Sequence, residues 1–239
     1  NAAVLKPSEM TPLTSLALGV LSKKAGLPDG VITVLTGLGA TTGVAATTHD
    51  ATRKVVFVGS PRTGAIIAGQ AAQNVVPCVL ELGGKSANIV FGDADLKRAV
   101  IGAQAAIFSG AGQSCVAGSR LLVQRNVVDR FLDMLVAGAN QIPVGDPMDV
   151  ATQIGPINND VQYQTVRRLV ASGQAEGAQL LAGGERPDGD AYQDGYFLRP
   201  TVLGNVRNDM NIAREEIFGP VLSVIPFDDE AEAVAIAND

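Results

Sequence analysis

Two side chains in the sequence could supply nucleophilic and general-base chemistry. Cys115 lies in the segment Gly112-Gln113-Ser114-Cys115-Val116-Ala117-Gly118, where small neighbours leave room for a substrate beside the thiol. Backbone N–H groups and a nearby cation could lower its pKa from the ~8.5 of a free cysteine and so create a nucleophile. By residue type alone, Cys115 could equally be a small buried hydrophobe. Cys78, set in an apolar run, is interpreted as structural.

Glu81 interrupts the apolar run Val79-Leu80-Glu81-Leu82 just before two glycines. A carboxylate among apolar neighbours tends to have a raised pKa, which suits a general base. A buried ion pair with Lys85 is the alternative. Further along the chain, Glu215-Glu216-Ile217-Phe218-Gly219-Pro220 brings two carboxylates beside an aromatic ring, and on its own it is typical of a loop.

Glycine clusters after predicted strands indicate where an anionic ligand could bind. Gly59-Ser60-Pro61-Arg62-Thr63-Gly64 follows a β-branched run and opens a helix, so N–H groups and the helix dipole favour a phosphate there. Gly37-Leu38-Gly39-Ala40-Thr41-Thr42-Gly43 has its third glycine one place late for the dinucleotide fingerprint. Either cluster could merely close a tight turn. Lys6 and Glu9 could bind ribose hydroxyls, or form a solvated loop with a capping carboxylate.

The elements that would position these residues predict an α/β fold. Strands at 1–5, 31–35 and 54–58 alternate with helices at 12–25, 40–48 and 59–74, and 75–82 is apolar again. This alternation predicts a parallel sheet covered on both faces. The regular alternation of short strands and helices changes near Gly83, so we predict domains at 1–83 and 84–239. Remaining segments are predicted as strands at 88–91, 120–124, near 179, 197–203 and 221–227, and as helices at 94–108 (entered through Asp93 or Asp95), 127–139, 161–172 and from 229.

Composition excludes several classes of protein. The 239 residues carry 18 Lys+Arg against 24 Asp+Glu, a net charge of −6 that argues against nucleic-acid binding. A single histidine, His49, removes His-rich zinc sites, and no metal site is predicted. Two cysteines cannot form a disulfide framework, which favours a reducing, cytoplasmic location. The uncharged stretch 99–119 holds too many polar residues and glycines for a membrane segment.

Taken together, in this order and spacing, the segments resemble the NAD(P)-dependent aldehyde dehydrogenase superfamily over essentially the whole chain. Leu80-Glu81-Leu82-Gly83-Gly84-Lys85-Ser86 is similar to the family's glutamate motif, and Gly112-Gln113-Ser114-Cys115 is similar to its cysteine motif. Glu216-Ile217-Phe218-Gly219-Pro220-Val221 and Lys6-Pro7-Ser8-Glu9 complete the set. The resemblance implies an incomplete Rossmann-like cofactor domain at 1–83 and an α/β catalytic domain at 84–239.

The resemblance also implies a mechanism. Cys115 would attack the aldehyde carbon, and the resulting thiohemiacetal would release hydride to the nicotinamide and leave a thioester. The Cys115 backbone N–H would be one oxyanion donor. Glu81 would deprotonate the water that hydrolyses the thioester to a carboxylic acid.

The implied cofactor is NAD, with NADP less favoured because Glu9 would repel a 2′-phosphate. The resemblance also implies the residues that would contact each part of the cofactor. Lys6 and Glu9 would bind the adenosine ribose, Gly39 would line the adenine side, and Gly59 and Ser60 would bind the pyrophosphate. Glu216 would bind the nicotinamide ribose, and Phe218 would pack beside that end of the cofactor. The implied partners are a small aldehyde and further copies of the chain in a homo-oligomer. No nucleic-acid or membrane partner is expected.

Two departures from the family pattern are visible. Gly110 stands where the family commonly has asparagine, and the chain is about half the family length and starts at Asn1 without a methionine. We therefore expect a portion of a longer enzyme, inactive when alone. Two alternatives stay open: a CoA-acylating semialdehyde dehydrogenase, and a relative that binds dinucleotide without turnover.

Overall fold

The computed structural model describes all residues from 1 to 239. The chain divides into two compact units, Asn1–Leu82 and Gly83–Asp239, which we call the N-terminal and the C-terminal unit. Each unit alternates strands with helices, so the predicted α/β class is confirmed. None of the helices combines the length and the apolar character that a bilayer crossing requires.

The N-terminal unit contains two separate parallel ladders. Strand β1 pairs with β2, and β3 pairs with β4. The elements in chain order are β1 (Ala3–Leu5), α1 (Leu13–Lys24), β2 (Ile32–Val34), a π-helical turn at Gly39–Gly43, α2 (Val44–Thr48), β3 (Val55–Gly59), α3 (Pro61–Gln73) and β4 (Cys78–Leu82).

The prediction of one sheet covered on both faces is wrong for this unit. Strand β1 is exposed along its whole length, and Val56 and Val58 of β3 are 63% and 68% exposed. The reason lies in the packing: α1 contacts β2, and α3 contacts β3 and β4. The apolar side chains on one face of the β3–β4 ladder are therefore exposed to solvent, although the sequence of these strands is typical of buried strands.

The C-terminal unit is built on one five-stranded sheet of order β5-β6-β9-β8-β7, in which only the edge strand β7 runs antiparallel to its neighbour. The elements are β5 (Ala87–Val90), α4 (Leu96–Phe108), a 3₁₀ turn at Ser109–Gly112, β6 (Arg120–Gln124), α5 (Val128–Ala139), α6 (Asp160–Ala175), β7 (Gln179–Ala182), a 3₁₀ turn at Asp190–Tyr192, β8 (Thr201–Gly204), α7 (Asn211–Arg214), β9 (Val221–Phe227) and α8 (Glu230–Asn238).

This second sheet is covered on both faces. Successive side chains of a strand point to opposite faces. In β9, Leu222 and Val224 therefore join one core cluster with residues of α4 and α5, while Val221 and Ile225 join another with residues of α6 and α7. Burial on both faces explains why the central strands read as continuous apolar runs.

Two elements of the C-terminal unit differ from prediction. Strand β8 begins at Thr201 and not at Phe197, because Pro200 has no N–H to donate to the ladder. The short helix Asn211–Arg214 was not predicted, since four residues are too few to display helical periodicity.

Of the two residues predicted to cap helix α4, Asp95 is the N-cap. Its Oδ1 accepts hydrogen bonds from the N–H groups of Lys97 (3.1 Å) and Arg98 (3.2 Å).

Candidate active site

The thiol of Cys115 lies on an exposed turn that follows helix α4. The chain leaves the helix through three consecutive left-handed residues, with φ of 59° at Gly110, 56° at Ala111 and 68° at Gly112. The backbone N–H of Cys115 donates to no group of the chain. The cysteine is therefore not a walled-off core residue, and a donor beside its sulfur is free. Gly110 occupies a conformation that asparagine also tolerates.

Close backbone contact ties this cysteine loop to the turn before β9. A Cβ atom on Gly112 would overlap the carbonyl oxygen of Gly219, so this position has room for glycine alone. The positive φ of Gly112 gives the same preference. Two of the predicted motifs, around Cys115 and around Glu216, are thus brought together within the C-terminal unit.

The turn that carries Glu216 is held by helix α6. The side-chain amide of Gln162 donates to the carbonyl oxygens of Ile217 (2.7 Å) and Phe218 (3.0 Å). Phe218 adopts a φ of 51°, which is unusual for a bulky residue. Gln162 is not among the residues predicted for the site, because a glutamine within a polar helix gives no signal of such a role.

Gly83 and Lys85, at the start of the C-terminal unit, both lie near Glu216. A Cβ on Gly83 would overlap the carboxylate oxygens of Glu216, so the carboxylate lies directly against the backbone of this glycine. The Lys85 Nζ atom and the Glu216 Oε1 atom are both buried and neither has a hydrogen-bond partner. Burial, with a smaller contribution from the Arg120 charge, lowers the pKa of Lys85 to about 7, while Glu216 acts in the opposite direction.

Arg120 fixes the backbone of Lys85. Its Nε donates to the Lys85 carbonyl oxygen (2.9 Å), and its terminal nitrogens donate to Asn208 Oδ1 (2.9 Å) and to the carbonyls of Ile236 (2.8 Å) and Ala237 (3.1 Å). Burial lowers the pKa of the Arg120 guanidinium, opposed by the charge of Asp239. The only sequence signal for this role is a cation at the start of an apolar strand.

In the N-terminal unit, Lys6, Glu9 and Gly39 meet at the carboxyl ends of β1 and β2. The Lys6 Nζ lies 3.3 Å from Glu9 Oε2. Hydrogen bonds from the backbone of Glu9 itself, then from Lys6, lower the pKa of the Glu9 carboxyl, and its Coulomb attraction to Lys6 and the Gly39 backbone act the same way. The exposed carboxylate is therefore held ionised beside an ammonium group, and hydroxyl groups can reach it.

Gly59 and Ser60 form the junction between β3 and helix α3. The Ser60 side chain caps the helix by accepting from the Thr63 N–H at 3.3 Å, and Pro61 occupies the first helical position. Both Gly59 and Ser60 are exposed at a 13-residue helix N-terminus, the arrangement that the sequence predicts for an anion.

Glu81 differs from expectation in its surroundings. It lies on the exposed face of β4, next to Val79, which is 39% exposed. The apolar enclosure predicted for its carboxylate is absent, and Glu81 forms no ion pair, so the predicted pair with Lys85 is also absent. The run around Glu81 is apolar because alternate residues of β4 face the interior of the unit.

Comparison with known proteins gives concordant matches over the full chain. The sequence model of the aldehyde dehydrogenase family matches residues 1–239. Among curated relatives, a betaine aldehyde dehydrogenase of Brucella anthropi is 47% identical over 239 residues, and one of Brucella ovis is 46% identical. Both alignments cover 100% of this chain and 49% of the relative, so the chain spans about half the length of the curated relatives it matches.

Solved structures give the same result for the fold. A betaine aldehyde dehydrogenase from Staphylococcus aureus, crystallised with NAD⁺, superposes with a TM-score of 0.96 at 40% identity, covering 99% of this chain and 47% of the other. An aldehyde dehydrogenase C mutant from Pseudomonas syringae, complexed with NAD⁺ and octanal, gives 0.96 at 43% identity, covering 99% and 49%. These matches over its whole length establish that the chain belongs to the aldehyde dehydrogenase family.

Proposed function

We propose that this protein oxidises an aldehyde to a carboxylic acid with NAD as the oxidant, residues 1–83 contributing to the dinucleotide domain and 84–239 to the catalytic domain. The observation that carries the proposal is the position of Cys115. Its thiol is exposed, its N–H is free, and its loop is fixed by backbone contact to the turn that holds Glu216. A preorganised nucleophile beside an unused donor suits attack on a carbonyl group.

In this mechanism, the Cys115 thiolate bonds to the aldehyde carbon, and the oxygen that becomes negative accepts a hydrogen bond from the Cys115 N–H. Bound NAD would supply the acceptor for the hydride that leaves this carbon. Oxidation leaves the acyl group on the sulfur as a thioester. Glu81 would take a proton from water, whose oxygen displaces the sulfur and yields the acid.

Each unit, taken by itself, contains residues that suit part of a dinucleotide. The Glu216 carboxylate has a buried oxygen without a partner, which can accept from a ribose hydroxyl, and Phe218 lies two residues on. Lys6 and Glu9, with Gly39 beside them, offer an ammonium and an ionised carboxylate for a second ribose. The N-terminus of α3, at Gly59 and Ser60, suits the pyrophosphate. A carboxylate at Glu9 would disfavour the extra phosphate of NADP.

Alkylation of the two thiols in the full-length enzyme tests the assignment of the nucleophile. We expect iodoacetamide to modify Cys115 faster than Cys78, which is half-buried, and we expect Cys115→Ser to abolish NADH formation from an aldehyde while Cys78→Ser retains it. Mass spectrometry of tryptic peptides gives the two labelling rates. Equal, slow labelling together with an active Cys115→Ser variant would contradict the proposal and favour a relative that only binds dinucleotide.

The fate of the acyl group separates hydrolysis from transfer to CoA. We expect Glu81→Gln to stop steady-state acid production and to leave a burst of NADH equal to the enzyme concentration, because acylation of Cys115 precedes the step that needs a base. Undiminished turnover would contradict the role of Glu81. A rate that depends on added CoA would assign the protein to the acylating branch instead.

The names of the relatives suggest which aldehydes to compare first. We propose betaine aldehyde as the substrate, with octanal as the matched aliphatic comparison, and we propose a homo-oligomer of two or four subunits in the cytoplasm. The ratio of kcat/KM values for the two aldehydes, each with NAD and NADP, decides the substrate and the cofactor. Light scattering of the purified protein decides the oligomeric state.

A further inference from the structure

Two oppositely charged groups in the C-terminal unit are buried close to each other without a bonding partner. The atoms are Lys85 Nζ and Glu216 Oε1, and only two other side-chain atoms of the chain, on Ser119 and Arg186, share this condition. Glu216 is one of the two charges that act on the Lys85 ammonium. The two groups are nevertheless not in direct contact, since no ion pair within 4.0 Å joins them.

A buried ammonium and a buried carboxylate each require a hydrogen-bond partner, because their unpaired charges are costly to desolvate. The ammonium group can only donate and the ionised carboxylate can only accept. A hydroxyl group or a water molecule can do both, so it can link Lys85 to Glu216. Both oxygens of Glu216 lie near Gly83, and Oε1 is the one that is buried without a hydrogen-bond partner, so Oε1 is the atom available for such a link.

Arg120 is the other cation nearby, and it is committed to other partners. Four of its five N–H donors are used by the Lys85 carbonyl, by Asn208 and by two carbonyls of helix α8. Arg120 instead fixes the backbone from which the Lys85 side chain extends. The chain therefore leaves Lys85 as the free cation available to Glu216.

We propose that Lys85 is a positioning residue that orients the Glu216 carboxylate for a ribose hydroxyl of the dinucleotide. The inference rests on the proposed function in one respect, that the ligand of Glu216 is NAD. Through this link, Lys85 fixes which oxygen of the Glu216 carboxylate accepts from the ligand. It does not contact the reacting atoms.

A double-mutant cycle on NAD binding tests this role. The dissociation constant for NAD is measured by isothermal titration calorimetry on the full-length enzyme, without aldehyde, for wild type, Lys85→Met, Glu216→Gln and the double variant. We expect each single variant to bind NAD at least tenfold more weakly. If Lys85 acts through Glu216, the double variant should bind no more weakly than Glu216→Gln alone. If the dissociation constant of the double variant rises by the product of the two single fold-changes, the proposal is overturned.

Two further variants keep the test decisive. Gly83→Ala retains Lys85 but adds a Cβ where the Glu216 carboxylate lies, so we expect it to weaken NAD binding tenfold or more and to be non-additive with Lys85→Met. This variant takes the place of Lys85→Met if that protein does not fold. The exposed Lys97→Met is the matched control and should bind NAD like wild type. An unchanged dissociation constant in Gly83→Ala would also overturn the proposal.

The outcome for wild type separates the inference from the function on which it rests. If wild type does not bind NAD, both the proposed function and the role of Lys85 fail. If wild type binds NAD and reduces it with an aldehyde, while Lys85→Met binds NAD like wild type, the function stands and the positioning role alone is overturned.

Discussion

Replacing Lys85 with methionine should make the folded protein more stable, and by an amount that depends on pH. In the folded state burial lowers the pKa of Lys85 from 10.5 to about 7, with a smaller contribution from the Arg120 charge, partly offset by Glu216. The folded state thus disfavours the charged form relative to the unfolded chain. Methionine has a similar length and no charge, so it removes this penalty and keeps the packing of the stem.

The magnitude follows from linkage. Between pH 7 and 10.5 the unfolded chain binds more protons at Lys85 than the folded protein does, so the wild-type stability rises with pH over that window. With 1.36 kcal/mol for each pKa unit, the penalty is roughly 4 kcal/mol at pH 7 and roughly 2 kcal/mol at pH 9. The stability gained by Lys85→Met should therefore shrink by about 2 kcal/mol between these pH values.

Urea unfolding of both proteins at pH 7 and pH 9 measures this difference. Any constant effect of the methionine on packing cancels when the two pH values are compared. Lys97→Met, which removes an exposed ammonium group from the same unit, is the control, and its effect on stability should not change with pH. A stability gain for Lys85→Met that is equal at both pH values would refute the assignment of Lys85 as a buried cation.

Two other substitutions, each with a matched control, test the start of helix α4 and the loop that follows its end. Gly112→Ala should destabilise the protein by more than about 1 kcal/mol and slow the alkylation of the thiol, because its Cβ would overlap the Gly219 carbonyl oxygen at a positive φ; Gly102→Ala, in open space within a helix, should stabilise by about 0.5–1 kcal/mol. Asp95→Ala should cost about 1 kcal/mol in urea unfolding through loss of the helix cap, whereas Asp93→Ala, which caps nothing, should not.

Much of the fold could be predicted from apolar periodicity and turn chemistry. The strands at 120–124 and 221–227 were predicted at their observed bounds because continuous apolar runs between turns leave few alternatives. Asp95 was predicted as one of two possible caps, and the structure selects it. The burial of the strands in the N-terminal unit was not predicted correctly. An apolar strand sequence indicates a preference for burial, but it does not show whether another element packs on that face.

Prediction of the site was limited by contacts between segments distant in sequence. The motifs identified Cys115 and Glu216 as candidates, and the structure ties their loops together through Gly112 and Gly219. No local pattern signals that Lys85 is buried near Glu216, which follows it by more than a hundred residues. The prediction that Lys85 pairs with Glu81 was wrong because it depended only on how close the two residues are in the sequence.

The features that sequence rules did not anticipate are concentrated around the candidate site. Ala111 and Phe218 account for two of the four residues other than glycine with a positive φ, and both lie in the loops that meet at Gly112. The buried charge of Lys85 lowers the stability of the folded protein at pH values below 10.5, the pKa of lysine in the unfolded chain. Each feature is unfavourable by itself, and strained residues persist where the surrounding structure determines them. The hydrogen bonds from Gln162 and Arg120 provide that support, which favours a rigid, preorganised arrangement of Cys115 and Glu216 over a loop that orders only when ligand binds.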